Sequence, residues 1–197
     1  MKIQKILCLI GLISFGIVNF NAQHKHQESE NSNKNSKTET TKASVLETKI
    51  TSELAKKGFE RFKSLEGKWL GKSTKGWTEE VSYRTIAGGS VVVANSFDAH
   101  PNETMLTMYH LDGERLMLTH YCVAKNQPRL VATSISEDAK EMTFTFLDGT
   151  NLPSRDKGHM DKFVIKFVNE NTITSQWTWY QNGKESWMEE IKLERIK

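Results

Sequence analysis

Among the six histidines of this chain, His120 has the chemically richest company. Alternation along residues 104–122 puts Met105, Thr107, Tyr109, Leu111, Leu116, Leu118, His120 and Cys122 on one face of a β-hairpin. An imidazole beside a hydroxyl and a phenol on an otherwise apolar face can hold the polar head of a small ligand. The same grouping also describes a structural histidine satisfied by Thr107 or Tyr109. Cys122 reads as a small buried hydrophobe rather than a reactive thiol. His159 opens a second alternating run, with Asp161, Phe163, Ile165 and Phe167 expected on its face. His159 and Asp161 form a candidate oriented pair, although no spacing of zinc ligands accompanies them. Asn126-Gln127-Pro128-Arg129 offers amides and a forked guanidinium to a carboxylate or phosphate; the alternative is a turn fixed by Pro128. Trp177 is the expected pocket wall within the aromatic group Trp177, Trp179, Tyr180 and Trp187, with Gln176 and Glu189 as a polar pair across the hairpin.

Other patterns fall short of a motif. Gly71-Lys72-Ser73 resembles the end of a phosphate loop, but Glu66 stands where that loop needs glycine. No G-x-S-x-G elbow occurs. His24-Lys25-His26 becomes a copper or nickel terminus only if cleavage leaves His26 at the third position. The reading therefore assigns no catalytic residue, no metal and no cofactor.

The elements that must position these residues are strands. From Lys68 onward the side-chain period is two, over ten segments: 68–74, 79–86, 90–97, 104–111, 114–123, 129–136, 141–147, 159–168, 172–181 and 184–195. Ala87-Gly88-Gly89, Asp112-Gly113, Asp148-Gly149 and Asn182-Gly183 supply turn chemistry between them. A two-residue turn at Asp112-Gly113 sets Leu111 opposite Glu114, Tyr109 opposite Leu116, Thr107 opposite Leu118 and Met105 opposite His120. Ser44 precedes Glu47 at capping-box spacing, and Leu46, Ile50, Leu54, Phe59, Phe62 and Leu65 recur near helical spacing. One N-terminal amphipathic helix is expected over about 45–64, covering one end of a barrel.

Lys2, Lys5, the apolar run 6–18 and small Ala22 read as a secretory signal, 1–22, too short to span a bilayer. A polar tether follows over 23–43 and the folded domain over 44–197. Cleavage removes Lys2 and Lys5 and no acid, leaving 25 basic residues against 24 acidic ones. That balance argues against nucleic acid or an anionic membrane as partner. Cys8 leaves with the signal, so Cys122 has no partner for an internal disulfide.

Gly67-Lys68-Trp69 at the start of the first strand resembles the G-x-W signature of the lipocalins and wider calycin superfamily. That resemblance implies a tryptophan plugging one barrel end, with Arg195 on the last strand packed over Trp69. The stretch from Tyr109 to Cys122, with Asn126-Gln127-Pro128-Arg129 and Gly158-His159-Met160, resembles a group of uncharacterised, often exported, bacterial lipocalin-like proteins over roughly 65–197. A more distant similarity is to nitrobindin-like barrels, which hold haem through a histidine near the chain's end. No histidine follows His159 here.

The sequence thus points to an all-β chain: a single up-and-down antiparallel barrel of about ten strands, lipocalin-like, periplasmic or secreted, and monomeric or weakly self-associating. Its expected role is to bind a small apolar or amphipathic molecule through Thr107, Tyr109, His120, Cys122, Gln127, Arg129, His159 and Trp177. Trp69 and Arg195 are expected to be structural. The alternatives are a haem-type or other barrel enzyme using His120 and His159, and a protein-interaction module whose barrel is filled by side chains.

Overall fold

Period-two alternation makes one face of each strand apolar, and a sheet with such a face is stable only when that face is covered. Here the sheet covers itself. In the computed structural model, which describes residues 50–197 (without the side chain of Trp187), ten strands close into a barrel. They are β1 (Gly67–Ser73), β2 (Thr78–Ile86), β3 (Val91–Asp98), β4 (Glu103–Asp112), β5 (Arg115–Tyr121), β6 (Gln127–Ile135), β7 (Glu141–Thr150), β8 (His159–Asn169), β9 (Thr172–Gln181) and β10 (Lys184–Arg195). Each pairs antiparallel with the next, and β1 closes on β10, with Trp69 opposite Arg195. The up-and-down order gives the barrel two ends. The start of β1 and the end of β10 lie at one; the start of β2 and the end of β3 lie at the other.

Helix α1 (Ser52–Lys63) plugs the first end. It precedes the barrel without standing at the chain's N-terminus, and it is shorter than the expected 45–64. Thr51 is extended, and its side chain accepts from Leu54 N at 3.2 Å, which makes it the N-cap. The Ser44–Glu47 cap, the tether and the signal lie outside the described residues. The helix stops at Ser64, whose Oγ donates to Arg61 O at 2.7 Å. Its buried side presents Ala55, Gly58, Phe59 and Phe62. A Cβ on Gly58 would come within 3.0 Å of Leu116 Cδ2 and 3.2 Å of Met142 Sδ, so glycine lets the helix seat closely. Phe62, fully buried, stacks on Tyr109 with ring centroids 4.0 Å apart and meets Phe144 and Phe167 edge-on at 6.0 Å. Burying such a ring contributes about 1.5–3 kcal/mol.

Trp69 completes the plug. Its Nε1 donates to Leu65 O at 2.7 Å, and the Arg195 guanidinium lies 4.4 Å from its ring. Arg195 also donates to Ser64 O at 2.7 Å, Glu66 O at 2.6 Å and Glu170 O at 3.2 Å. One side chain thereby ties the last strand to the helix–strand junction and to the β8–β9 turn.

Three local expectations are corrected. The β4–β5 turn is centred one residue later, on Gly113-Glu114, so Leu111 faces Leu116, Tyr109 faces Leu118 and Thr107 faces His120. Only Gly113 of those two has positive φ (59°), so the doubly left-handed turn expected at Asp112-Gly113 is not used. The shift preserves parity, and the inner face is unchanged. Asp148-Gly149 is not a turn but lies within β7, opposite Arg129 and Pro128. A Cβ on Gly149 would stand 3.3 Å from Pro128 Cα, so glycine serves close backbone approach there. Irregular pairing between Met160 and Lys162 and between Trp187 and Glu189 interrupts the alternation of β8 and β10.

Candidate functional site

The second end of the barrel is open, and the polar interior residues gather there. His120, near the end of β5, is only 4% exposed. Its Nδ1 lies 2.9 Å from Thr107 Oγ1, while its Nε2 is buried without a hydrogen-bond partner. Burial pushes the imidazole down to about 4, because the charged form would lose its hydration. At neutral pH His120 therefore presents a neutral ring. Trp177 packs against it at 4.8 Å and against Phe163 at 4.3 Å.

These side chains line a cavity whose enclosed part is about 50 Å³; the whole hollow with its open mouth is about 650 Å³. Thr107, Tyr109, His120, Met160, Trp177 and Met188 contribute to its wall. Burial raises the Tyr109 and Tyr83 phenols far above their ordinary range, so both are protonated hydroxyls. A larger superficial cleft of about 660 Å³ lies at the plugged end by Arg61, Lys140 and Arg195. Arg195 there is already engaged as a structural donor.

The mouth of the cavity is acidic. Glu79 on β2 is directly opposite Asp98 on β3, and Glu189 reaches in from β10. Desolvation, reinforced by Asp98 and then Glu189, pushes the Glu79 carboxyl up to about 8. Desolvation also raises Asp98, against a hydrogen bond at 2.9 Å from His100 N to its Oδ1. Glu189 accepts from Trp77 Nε1 at 3.3 Å and meets Lys75 Nζ at 3.7 Å. Trp77 in turn stacks on His100 at 4.3 Å. The sequence reading missed Glu79 and Asp98 as site residues. Their signal was parity, since Glu79 shares its face with Val81 and Tyr83.

Of the residues expected at the site, Thr107, Tyr109, His120 and Trp177 come together on the cavity. Cys122 lies just beyond β5, half-buried and off the cavity wall, its thiol pushed up by burial. Gln127 accepts from Thr150 Oγ1 at 2.7 Å at the start of β6. Arg129 points outward into an ion pair with Asp148, with its Nε 2.6 Å from Oδ1; that carboxylate holds the guanidinium pKa above its ordinary value. Asn126 donates to Gly158 O at 2.8 Å, so its loop fastens the β7–β8 connection rather than facing the cavity.

His159 is fully buried but also lies off the cavity, because the irregularity after Met160 sends Met160 inward in its place. Arg155 donates to its Nε2 and pairs with Asp161, and its Nδ1 donates to Lys157 O at 2.6 Å. Arg155 is itself sandwiched between Phe146 and Tyr180, 4.2 Å from each ring. Gln176 faces Glu190 rather than Glu189, because the irregularity at Met188 shifts the pairing.

No protein-family model matches the chain, and no curated protein matches it. Among solved structures it is similar to a crystal structure from Nostoc punctiforme, described as a protein with unknown function from the DUF3598 family. The identity is 9%, over 68% of this chain and 49% of that one, with a TM-score of 0.44. The chain thus spans about half the length of that structure.

The residues present do not fit a haem. Both ring nitrogens of His159 are engaged outside the cavity, and the enclosed volume beside His120 is far smaller than a macrocycle. Among the described residues no group of three or more His, Cys, Asp or Glu side chains is arranged to hold a metal ion. What the site can do is accept a small solute through its mouth, give it apolar contact with Trp177, Phe163 and the two methionines, and meet one polar group at His120 Nε2.

Proposed function

We propose that this chain is an exported lipocalin-like barrel, monomeric or weakly associating, that takes a small apolar or amphipathic molecule into its open end. The observation that carries the reading is His120 Nε2: a buried ring nitrogen on a cavity wall, without a partner in the protein. Buried polar atoms are almost always satisfied, and one left free beside a cavity is placed to be completed by something that enters it. The N-terminal signal pattern and the G-x-W start of the barrel support the export and lipocalin-like parts of the reading.

The enclosed space of about 50 Å³ is well below the roughly 300–1,000 Å³ of drug-sized sites. A ligand is therefore small, unless Met160 and Met188 swing aside; their unbranched side chains are suited to that. Native mass spectrometry of protein taken from its own envelope tests the reading. The expected spectrum shows a chain beginning at Gln23 with a small adduct, which His120→Ala reduces by about tenfold in occupancy. A bare mass in the wild type, together with no bound solute from a small-molecule screen by ligand-observed NMR, overturns it in favour of a barrel filled by its own side chains.

A further inference from the structure

The cavity mouth gathers three carboxylates with little to balance them. Glu79 and Asp98 face each other across adjacent strands, an arrangement that repels when both are ionised. Glu189 adds a third from the opposite side of the barrel seam, and Lys75, largely on the solvent side, meets only that one at a printed ion-pair distance. The same cavity ends on His120, buried at 4% exposure with Nε2 unpartnered. An acidic mouth alone would be a solvated rim. An acidic mouth leading to an apolar wall and an uncompleted imidazole is a site with two ends.

We propose that the open end receives a small organic cation, its ammonium group among Glu79, Asp98 and Glu189 and its short apolar body directed along Trp177 toward His120. The proposal rests on the interior-binding reading above and specifies the charge of the ligand. Positive charge is what the mouth lacks. A metal ion does not supply it, because the described residues offer no group of three or more ligands at metal geometry. Trp77, bonded to Glu189 and stacked on His100, also places an aromatic face beside the mouth, where an ammonium is attracted to the ring.

Proton linkage gives the proposal a signature. Glu79 is faced by Asp98 from β3, by Glu189 from β10 with Lys75 behind it, by Tyr83 on its own strand and by Tyr109 from β4; His100 sits beside Asp98. In the empty barrel these surroundings keep a proton on Glu79 at pH 7. An arriving ammonium favours the carboxylate, so the proton passes to the buffer and binding tightens as pH rises toward 8.

The experiment titrates the purified protein with n-butylammonium, n-butanol and butyrate, three solutes of one shape and different charge, following the tryptophan indole signals by NMR. n-Butylammonium is expected to bind about tenfold or more tightly than n-butanol at pH 7, with butyrate not bound. Binding is expected to tighten by about fivefold or more from pH 6 to pH 8, with proton release seen by calorimetry in two buffers. Glu79→Gln and Glu189→Gln, made separately so that one folded variant suffices, are expected to erase the preference while n-butanol binding persists. Equal binding of n-butanol and n-butylammonium overturns the cation proposal and leaves interior binding standing. Binding of none of the three overturns the cation proposal, and with the bare native mass overturns interior binding as well.

Discussion

His120 and Glu79 are buried with opposite consequences for protonation, and each leaves its own mark on stability. His120 is held down to about 4 against an ordinary 6.5, so between those values the unfolded chain binds more protons and stability falls as pH is lowered. Glu79 is held up to about 8 against 4.5, so there the folded chain binds more protons and stability falls as pH is raised. Between pH 4.5 and 6.5 the two slopes nearly cancel in the wild type. His120→Gln is expected to expose the downward slope of Glu79, and Glu79→Gln the upward slope of His120, each about 1 kcal/mol per pH unit. Urea midpoints at pH 4.5, 5.5 and 6.5 measure this. If the variants and the wild type run parallel, neither group is as desolvated as its surroundings imply.

At the scale of elements, α1 is expected to contribute most through Phe62. Phe62→Ala should lower the unfolding free energy by about 3–5 kcal/mol, since the ring is held by Tyr109, Phe144 and Phe167 and the void cannot collapse onto a closed barrel. Thr51→Ala should cost only about 1 kcal/mol, the value of one cap. Chemical denaturation of both variants checks the ratio, and similar losses would mean that the helix is held by its ends rather than by its buried face. The strands were legible because alternation is a property of every residue in them, and parity alone placed Thr107, Tyr109, His120 and Trp177 inside. Turns were less legible: Gly149 sits in the same dipeptide as a hairpin turn but serves close approach to Pro128. Irregular pairing was not legible at all, because one residue of extra backbone near Met160 or Met188 carries no compositional sign. That is why His159 was expected inside and Glu189 beside Gln176. The acidic mouth was hidden for another reason: its three carboxylates come from three strands, and a charged residue in a strand is ordinarily read as facing water.

For the molecule as a whole, closure divides the labour between the two ends. One end is sealed by α1, Trp69 and Arg195, and the other carries the polar interior; a change at the seal can therefore alter stability without touching the cavity. Arg195 is the sharpest test, because its guanidinium makes three bonds to carbonyls on separate segments while stacking on Trp69. Lysine keeps the charge but has neither the planar fork nor the stacking surface. Arg195→Lys is accordingly expected to lower the unfolding free energy by about 2 kcal/mol, most of it from charge-assisted hydrogen bonds that a single ammonium cannot make together. The denaturant slope should stay unchanged, since the same surface is exposed on unfolding. The indole NMR signal of Trp177, more than a strand's length from the seal, should also keep its position. A loss of stability with an unmoved Trp177 signal shows a seal that acts on closure alone. A shifted Trp177 signal would mean instead that the two ends are coupled through the barrel wall.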